Sequence, residues 1–287
     1  MHTPPLSTAF FAHPPRHWLA ALLATTALAG CASLPPDKPL HWPASLQQVL
    51  PADVLLLGEQ HDAADHQRLQ REAVQWLAAR GTLAAVVLEM AEQGGSTAGL
   101  ARDATEAQAQ AALQWQDKAW PWANYGPVVM AAVAAGVPVL GGNLPRSQMR
   151  AAMGQAQWDA HLPAAALQRQ HTEIRDGHCG LLPESQIAPM ARIQIARDAR
   201  MAQTVLAAAQ PGKTVLLVAG SGHVWRSLGV PTHLGAGMTA KVVVARAGSE
   251  SASAHADADL VAPTPALQPR DACAELREQW GSAPPKP

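Results

Sequence analysis

Four segments of this sequence run from apolar residues directly into residues that could do chemistry. Val54-Leu55-Leu56-Leu57 enters Gly58-Glu59-Gln60-His61, and Val86-Val87-Leu88 meets Glu89. Val139-Leu140 enters Gly141-Gly142-Asn143, with Arg146 close behind, and Leu216-Leu217-Val218-Ala219 enters Gly220-Ser221-Gly222-His223. The first and last share a Gly-x-x-His pattern. Glycine lets the backbone turn sharply and come close to a ligand, and neutral imidazole is both a metal ligand and an acid or base. With Glu59 and Glu89, His61 and His223 make a set that could hold a divalent cation such as Mn, Co or Zn and leave positions open for water. Either carboxylate could then act as general base in a hydrolysis on metal-activated water. A structural hydrogen bond is the simpler role for either histidine alone; the pair, with two carboxylates, favours a site. Arg146 could bind an anion through its bidentate guanidinium, or pair with Glu59 or Glu89 and brace the crevice. His66 is a further candidate. The sequence has no Gly-x-Ser-x-Gly elbow, which disfavours a serine hydrolase.

These residues meet only if the apolar runs are parallel strands. Runs at Val54 to Leu57, Ala84 to Leu88, Val137 to Leu140, Thr214 to Ala219 and Val242 to Ala245 are apolar on both faces, as strands covered by helices must be. Between the first two, Asp65 to Arg80 places Leu69, Ala73, Trp76 and Leu77 at helical spacing, and Gly81 can end the helix. A strand, helix, strand unit lays the strands parallel. The expected fold is α/β, a mainly parallel sheet flanked by helices, with a smaller all-helical subdomain from about residues 97–125 and 147–190. In such sheets ligands bind at the carboxyl ends of the strands, where all these side chains would lie. The domain should span 49–247. Residues 248–287, with Ser, Ala, Asp and Pro, read as a weakly ordered tail.

The amino terminus reads as an export signal. Arg16 and His17 precede the apolar run Trp18 to Ala24, which leads to Leu28-Ala29-Gly30-Cys31. The run suits a signal peptide over 1–30 and falls short of the about 20 residues that span a bilayer. Cys31 would carry lipid and hold the protein on a membrane, with 31–48, containing Pro35, Pro36, Pro39 and Pro43, as a tether. No aspartate follows Cys31, which favours the outer membrane in a Gram-negative host. A net charge of −1 over 287 residues gives no basis for nucleic-acid binding. Cys179 and Cys273 would then sit in an oxidising compartment and could pair. The position of Cys273 in the tail, and of His178 directly before Cys179, argue against it.

The motifs also resemble a known family. Leu56-Leu57-Gly58-Glu59-Gln60-His61-Asp62, His66, Val87-Leu88-Glu89-Met90, Gly142-Asn143-Leu144-Pro145-Arg146, Asp176-Gly177-His178-Cys179, Arg197-Asp198-Ala199-Arg200 and Ala219-Gly220-Ser221-Gly222-His223-Val224 occur in the order of ChaN-like haem-binding uptake lipoproteins. That resemblance implies an α/β domain with a helical subdomain, and haem held at a homodimer interface by tyrosine and histidine. The one tyrosine, Tyr125, then becomes the expected iron ligand, since phenolate is a known haem ligand. Trp115, Trp120 and Trp122 could lie against the porphyrin. His178 becomes the second haem contact, with His171 and His161 as alternatives. The pattern is also similar to a wider group of Tiki-type metalloproteases and erythromycin esterases, which keeps the metal-dependent hydrolase as the alternative.

Overall fold

A computed structural model describes residues 42–248 and 256–281. The expected signal peptide, Cys31 and the tether as far as residue 41 lie outside the described residues.

Six parallel strands form one sheet in the order β3-β2-β4-β1-β5-β6. They are β1 (Val54–Glu59), β2 (Leu83–Glu92), β3 (Val139–Asn143), β4 (Thr214–Gly220), β5 (Ala240–Ala247) and β6 (Leu260–Thr264). The first five fall on the five apolar runs, β3 starting two residues later than its run. The helices are α1 (Ala64–Ala79), α2 (Glu106–Leu113), α3 (Trp122–Ala135), α4 (Arg146–Gly154), α5 (Ala164–Gly177), α6 (Glu184–Ala208), the single turn α7 (Ser221–Val224) and α8 (Ala272–Gly281).

Side-chain alternation along each strand builds two cores. Leu55 and Leu57 of β1, Val86 and Leu88 of β2, and Leu216 and Val218 of β4 pack with α1, α2 and α3 on one face. Val54, Leu56, Val87, Val215 and Leu217 pack on the other face with Met201, Ala202 and Val205 of α6. Both faces are therefore dry over the middle of the sheet, and the charged residues of the central strands, Glu59 and Glu89, lie toward their carboxyl ends.

Three boundaries differ from expectation. Residues 42–48 do not belong to a free tether: Leu46 is fully buried, and the Trp42 indole donates to the Leu69 carbonyl at 2.8 Å. Residues 97–125 join the main core, because Ala109, Leu113, Trp122 and Tyr125 bury against the α1 face. Small separate clusters exist only further on, for example Ile174, Ile187 and Ala191 between α5 and α6. The region read as a tail supplies the sixth strand, pairing Val244 with Val261 and Ala245 with Ala262. Its apolar run, Leu260 to Ala262, is short and ends at Pro263, a residue that sheets accept mainly at an edge.

Candidate functional site

The pleat of the sheet sends the two buried glutamates to opposite faces. Glu59 follows Leu55 and Leu57 in register, so it points toward α1 and α3; Glu89 follows Val87 and points toward α6. The strand between them is β4, whose Gly220 pairs with Glu59 in register and donates its N–H to Glu89 Oε2 at 2.7 Å. A Cβ at Gly220 would lie 2.9 Å from His61 Nε2, so glycine is what lets the imidazole rest on this strand end.

Glu59 is 2 % exposed, and donors surround it. Oε1 accepts from the Tyr125 hydroxyl at 2.6 Å and from His61 Nδ1 at 2.6 Å. Oε2 accepts from Gln67 at 3.0 Å and from Gln70. A carboxylate offers about four lone-pair sites, and all four are used. Burial and the Glu59 charge push the Tyr125 phenol well above its ordinary pKa, so the hydroxyl stays protonated and donates. Burial opposes a charge on His61, but Glu59 and Glu89 outweigh it and raise its pKa.

Glu89 is equally buried. Arg197 and His223 Nε2, the latter at 3.4 Å, meet Oε1. Burial alone would raise the Glu89 pKa; His223 and Arg197 reverse that and hold it well below the usual carboxylate range. Asn143 locks the arrangement, donating to the Glu89 carbonyl at 2.8 Å and accepting from Arg197 Nε at 2.9 Å. On its other side His223 Nδ1 lies 2.6 Å from Asp198. Burial disfavours the imidazolium, yet Glu89 and Asp198 together push the His223 pKa up to about 9.

The site residues therefore separate. The structure brings together Glu59, His61, Glu89, Asn143 and His223. Arg146 stands exposed at the start of α4, where its backbone N–H donates to Glu92 at 3.1 Å; it makes no pair with Glu59 or Glu89, and it lines a small neighbouring cavity with Glu89, Asn143 and Arg197. The guanidinium at Glu89 is Arg197, delivered by α6 from 108 positions away. Arg197 and Asp198 were visible as a charged pair inside a helix, but no spacing rule told that they face inward. Gln67 and Gln70 escaped notice for a similar reason: on α1 they read as surface, and they are buried. His66 is fully buried away from the site, accepting from the Gln60 N–H at 2.9 Å and meeting Thr264 Oγ1 at 3.0 Å.

A cavity of about 500 Å³ opens over this strand edge. Glu59, His61, Glu89, Gly220 and His223 form its floor, and Ile174, Gly177, His178, Gln194 and Arg197 of the α5 and α6 region form a wall, with Trp120 and Trp225 beside them. The His178 Nδ1 lies 2.7 Å from the Ile174 carbonyl, which can only accept; Nδ1 therefore carries a proton, and in the neutral ring Nε2 is the nitrogen with the lone pair. Tyr125 does not line the cavity; it is 1 % exposed beneath Trp120. His161 instead stacks on His233 with centroids 3.7 Å apart, and neither it nor His171 lines the cavity.

A model of the family described as haem-binding uptake, Tiki superfamily, ChaN matches residues 45–234. The chain belongs to this ChaN family. The solved structure described as "Cofacial heme binding to ChaN of Campylobacter jejuni" is similar at 24 % identity and a TM-score of 0.58, over 73 % of this chain and 88 % of that one. The type III effector HopBA1 is similar at 14 % identity and a TM-score of 0.44, over 75 % and 88 %. No curated protein matches. For this ChaN-family chain the divalent-metal alternative finds no support. Among the described residues no three His, Cys, Asp or Glu side chains group as a metal site, and both carboxylates already face donors on every side.

The charge on His223 gives a pH test. Its folded pKa of about 9 stands above its ordinary 6.5, so the stability it contributes is complete below the lower value and lost as pH rises through the upper. Denaturation midpoints compared at about pH 7 and about pH 9.5 should fall for the native chain and fall less for His223→Gln. Equal losses in the two proteins would contradict the assignment.

Proposed function

We propose that this chain binds haem in the cavity at the sheet edge, with His178 facing the iron, and that it serves iron or haem uptake as an exported, lipid-anchored protein. The observation that carries the reading is the His178 ring. Its Nδ1–H is committed to a backbone carbonyl, the arrangement that typically orients a metal-ligating histidine, and the residue lines the cavity. The cavity volume of about 500 Å³ lies in the range of small-molecule sites. Ile174, Trp120 and Trp225 offer apolar area to a porphyrin face. Bound haem would supply a ferric iron able to take an imidazole ligand, and His178 would hold it.

Tyr125, the ligand expected from the family resemblance, would reach iron only by leaving Glu59 and giving up a proton that burial and Glu59 both hold in place. His178 needs neither change. Tyr125 is therefore given the role of Glu59's partner, and the first iron contact goes to His178. The His61 side chain is 39 % exposed at the mouth, so part of the cavity lies open to solvent. A second copy of the chain would cover it, in keeping with the cofacial haem named for the Campylobacter protein.

Hemin titrated into the chain starting after Cys31 should give a saturable Soret change with a shift to dimer size. His178→Ala should weaken binding by at least about tenfold, equivalent to about 1.4 kcal/mol, and alter the Soret band, whereas Tyr125→Phe should leave the band in place. No saturable change would overturn the haem reading, and a band that responds to Tyr125→Phe alone would return the iron to tyrosine. For the anchor, a metabolic fatty-acid label should mark the native chain and not Cys31→Ser; label on both, or on neither, removes the lipid assignment.

A further inference from the structure

The turn that carries His178 is held by a feature the haem reading does not use. Cys179 is disulfide-bonded to Cys273 of α8, 94 positions later. This corrects the argument against pairing, which assumed a mobile tail. The chain leaves the sheet at β6 and runs through 265–271 into α8, and on that path Arg270 lies 3.9 Å from Asp62. Asp62 follows His61, and Cys179 follows His178. Both histidines line the cavity. One segment is thus joined to the strand-edge floor and to the helical wall, and none of its described residues lines the cavity itself. It is a strap between two walls.

The backbone of the turn points the same way. Cys179 N–H donates to the Asp176 carbonyl at 2.9 Å and Gly180 N–H to the Arg175 carbonyl at 2.8 Å. This is a Schellman ending of α5, in which the residue after the C-cap is left-handed and most often glycine. Here that residue is Cys179, at φ 54, followed by Gly180 at φ 68. An L side chain is disfavoured in that conformation. What the side chain provides in return is the bond to Cys273. Both cysteines are only part-buried, so a small dithiol can reach the bond.

We propose that the Cys179–Cys273 bond is a latch that holds His178 in the cavity wall, and that a dithiol reductant weakens haem binding by opening it. The proposal rests on the haem reading above. In the opening step a thiolate of the reductant attacks one cysteine sulfur and the Cys179–Cys273 bond breaks. The second thiolate then displaces the protein sulfur from the mixed disulfide. The reductant leaves oxidised as its own disulfide, and Cys179 and Cys273 each end as a protonated thiol. Without the bond, the segment leading into α8 keeps exposed contacts such as Arg270 with Asp62, and exposed ion pairs hold little. Cys179 and Cys273 are positioning residues: they act through His178.

The test uses the chain lacking its first 31 residues, which retains the compact unit 40–287. Native protein, protein reduced with dithiothreitol and desalted under argon, and the Cys179→Ser/Cys273→Ser variant are each titrated with hemin. Amide hydrogen exchange of 174–184 is followed in the haem-free samples. The expected result is an about tenfold weaker hemin affinity in both opened forms, the Soret band of His178→Ala, and faster exchange across the turn. Adding His178→Ala to the double variant should cause no further loss. Native protein that binds hemin, with opened forms that match it in affinity, spectrum and exchange, would overturn the latch. Native protein that binds no hemin overturns the haem reading instead, and exchange alone then decides whether the strap holds the turn. A variant that fails to fold is replaced by Cys179→Gly/Cys273→Ser, which suits the left-handed turn without the bond; unchanged exchange there also overturns the latch.

Discussion

The structure depends on keeping two carboxylates charged inside a dry sheet edge. Glu59 ends β1 and Glu89 lies in the last half of β2, strands whose other residues are almost wholly apolar, and each is 2 % exposed. A buried carboxylate is costly unless it is surrounded by donors or opposite charge, and removing one partner from a buried ion pair typically costs about 3–5 kcal/mol. That constraint decides what the neighbouring elements must carry. On one face, α1 and α3 answer Glu59 with two glutamines and a tyrosine. On the other, α6 and the turn after β4 answer Glu89 with an arginine and a charged histidine. The two networks are separated by a single strand and joined through Gly220 and His61.

This division explains what the site can and cannot do. Glu59 is saturated by neutral and imidazole donors, and Glu89 by cations and a backbone N–H, so both serve as fixed negative charges that orient His61 and His223. The groups free to meet a ligand are those on the cavity wall. Among them His178 combines a fixed tautomer with an accessible nitrogen, and its place depends on the end of α5 and on what holds that end.

Much of the fold was legible because it follows from periodicity. Five apolar runs, four of them leading into Gly or Glu, gave five strands, and Leu69, Ala73 and Leu77 gave α1. The sixth strand was not legible, since Leu260 to Ala262 is too short to stand out and takes its order from β5. The convergence of Glu59, His61, Glu89, Asn143 and His223 was legible for a topological reason: parallel strands end on one side. Arg146 was legible only in part: it lines a cavity beside Glu89 and Asn143, but the guanidinium that pairs with Glu89 is Arg197, which sequence position did not indicate. Arg197, Asp198, Gln67 and Gln70 lie on helices where polar residues ordinarily face solvent, and only the charge buried opposite them explains their inward placement. Tyr125 drew attention as the sole tyrosine, yet its partner is a carboxylate that sequence could not bring to it.

The central claim is that the cavity over these carboxylates is where haem sits and that His178 meets the iron. Anomalous diffraction at the iron edge, from crystals of the hemin complex, measures that directly. The account predicts a single iron per chain in the cavity, within bonding distance of His178 Nε2, with the Tyr125 hydroxyl still on Glu59. Iron outside this cavity, or iron bound to a Tyr125 oxygen withdrawn from Glu59, would contradict it.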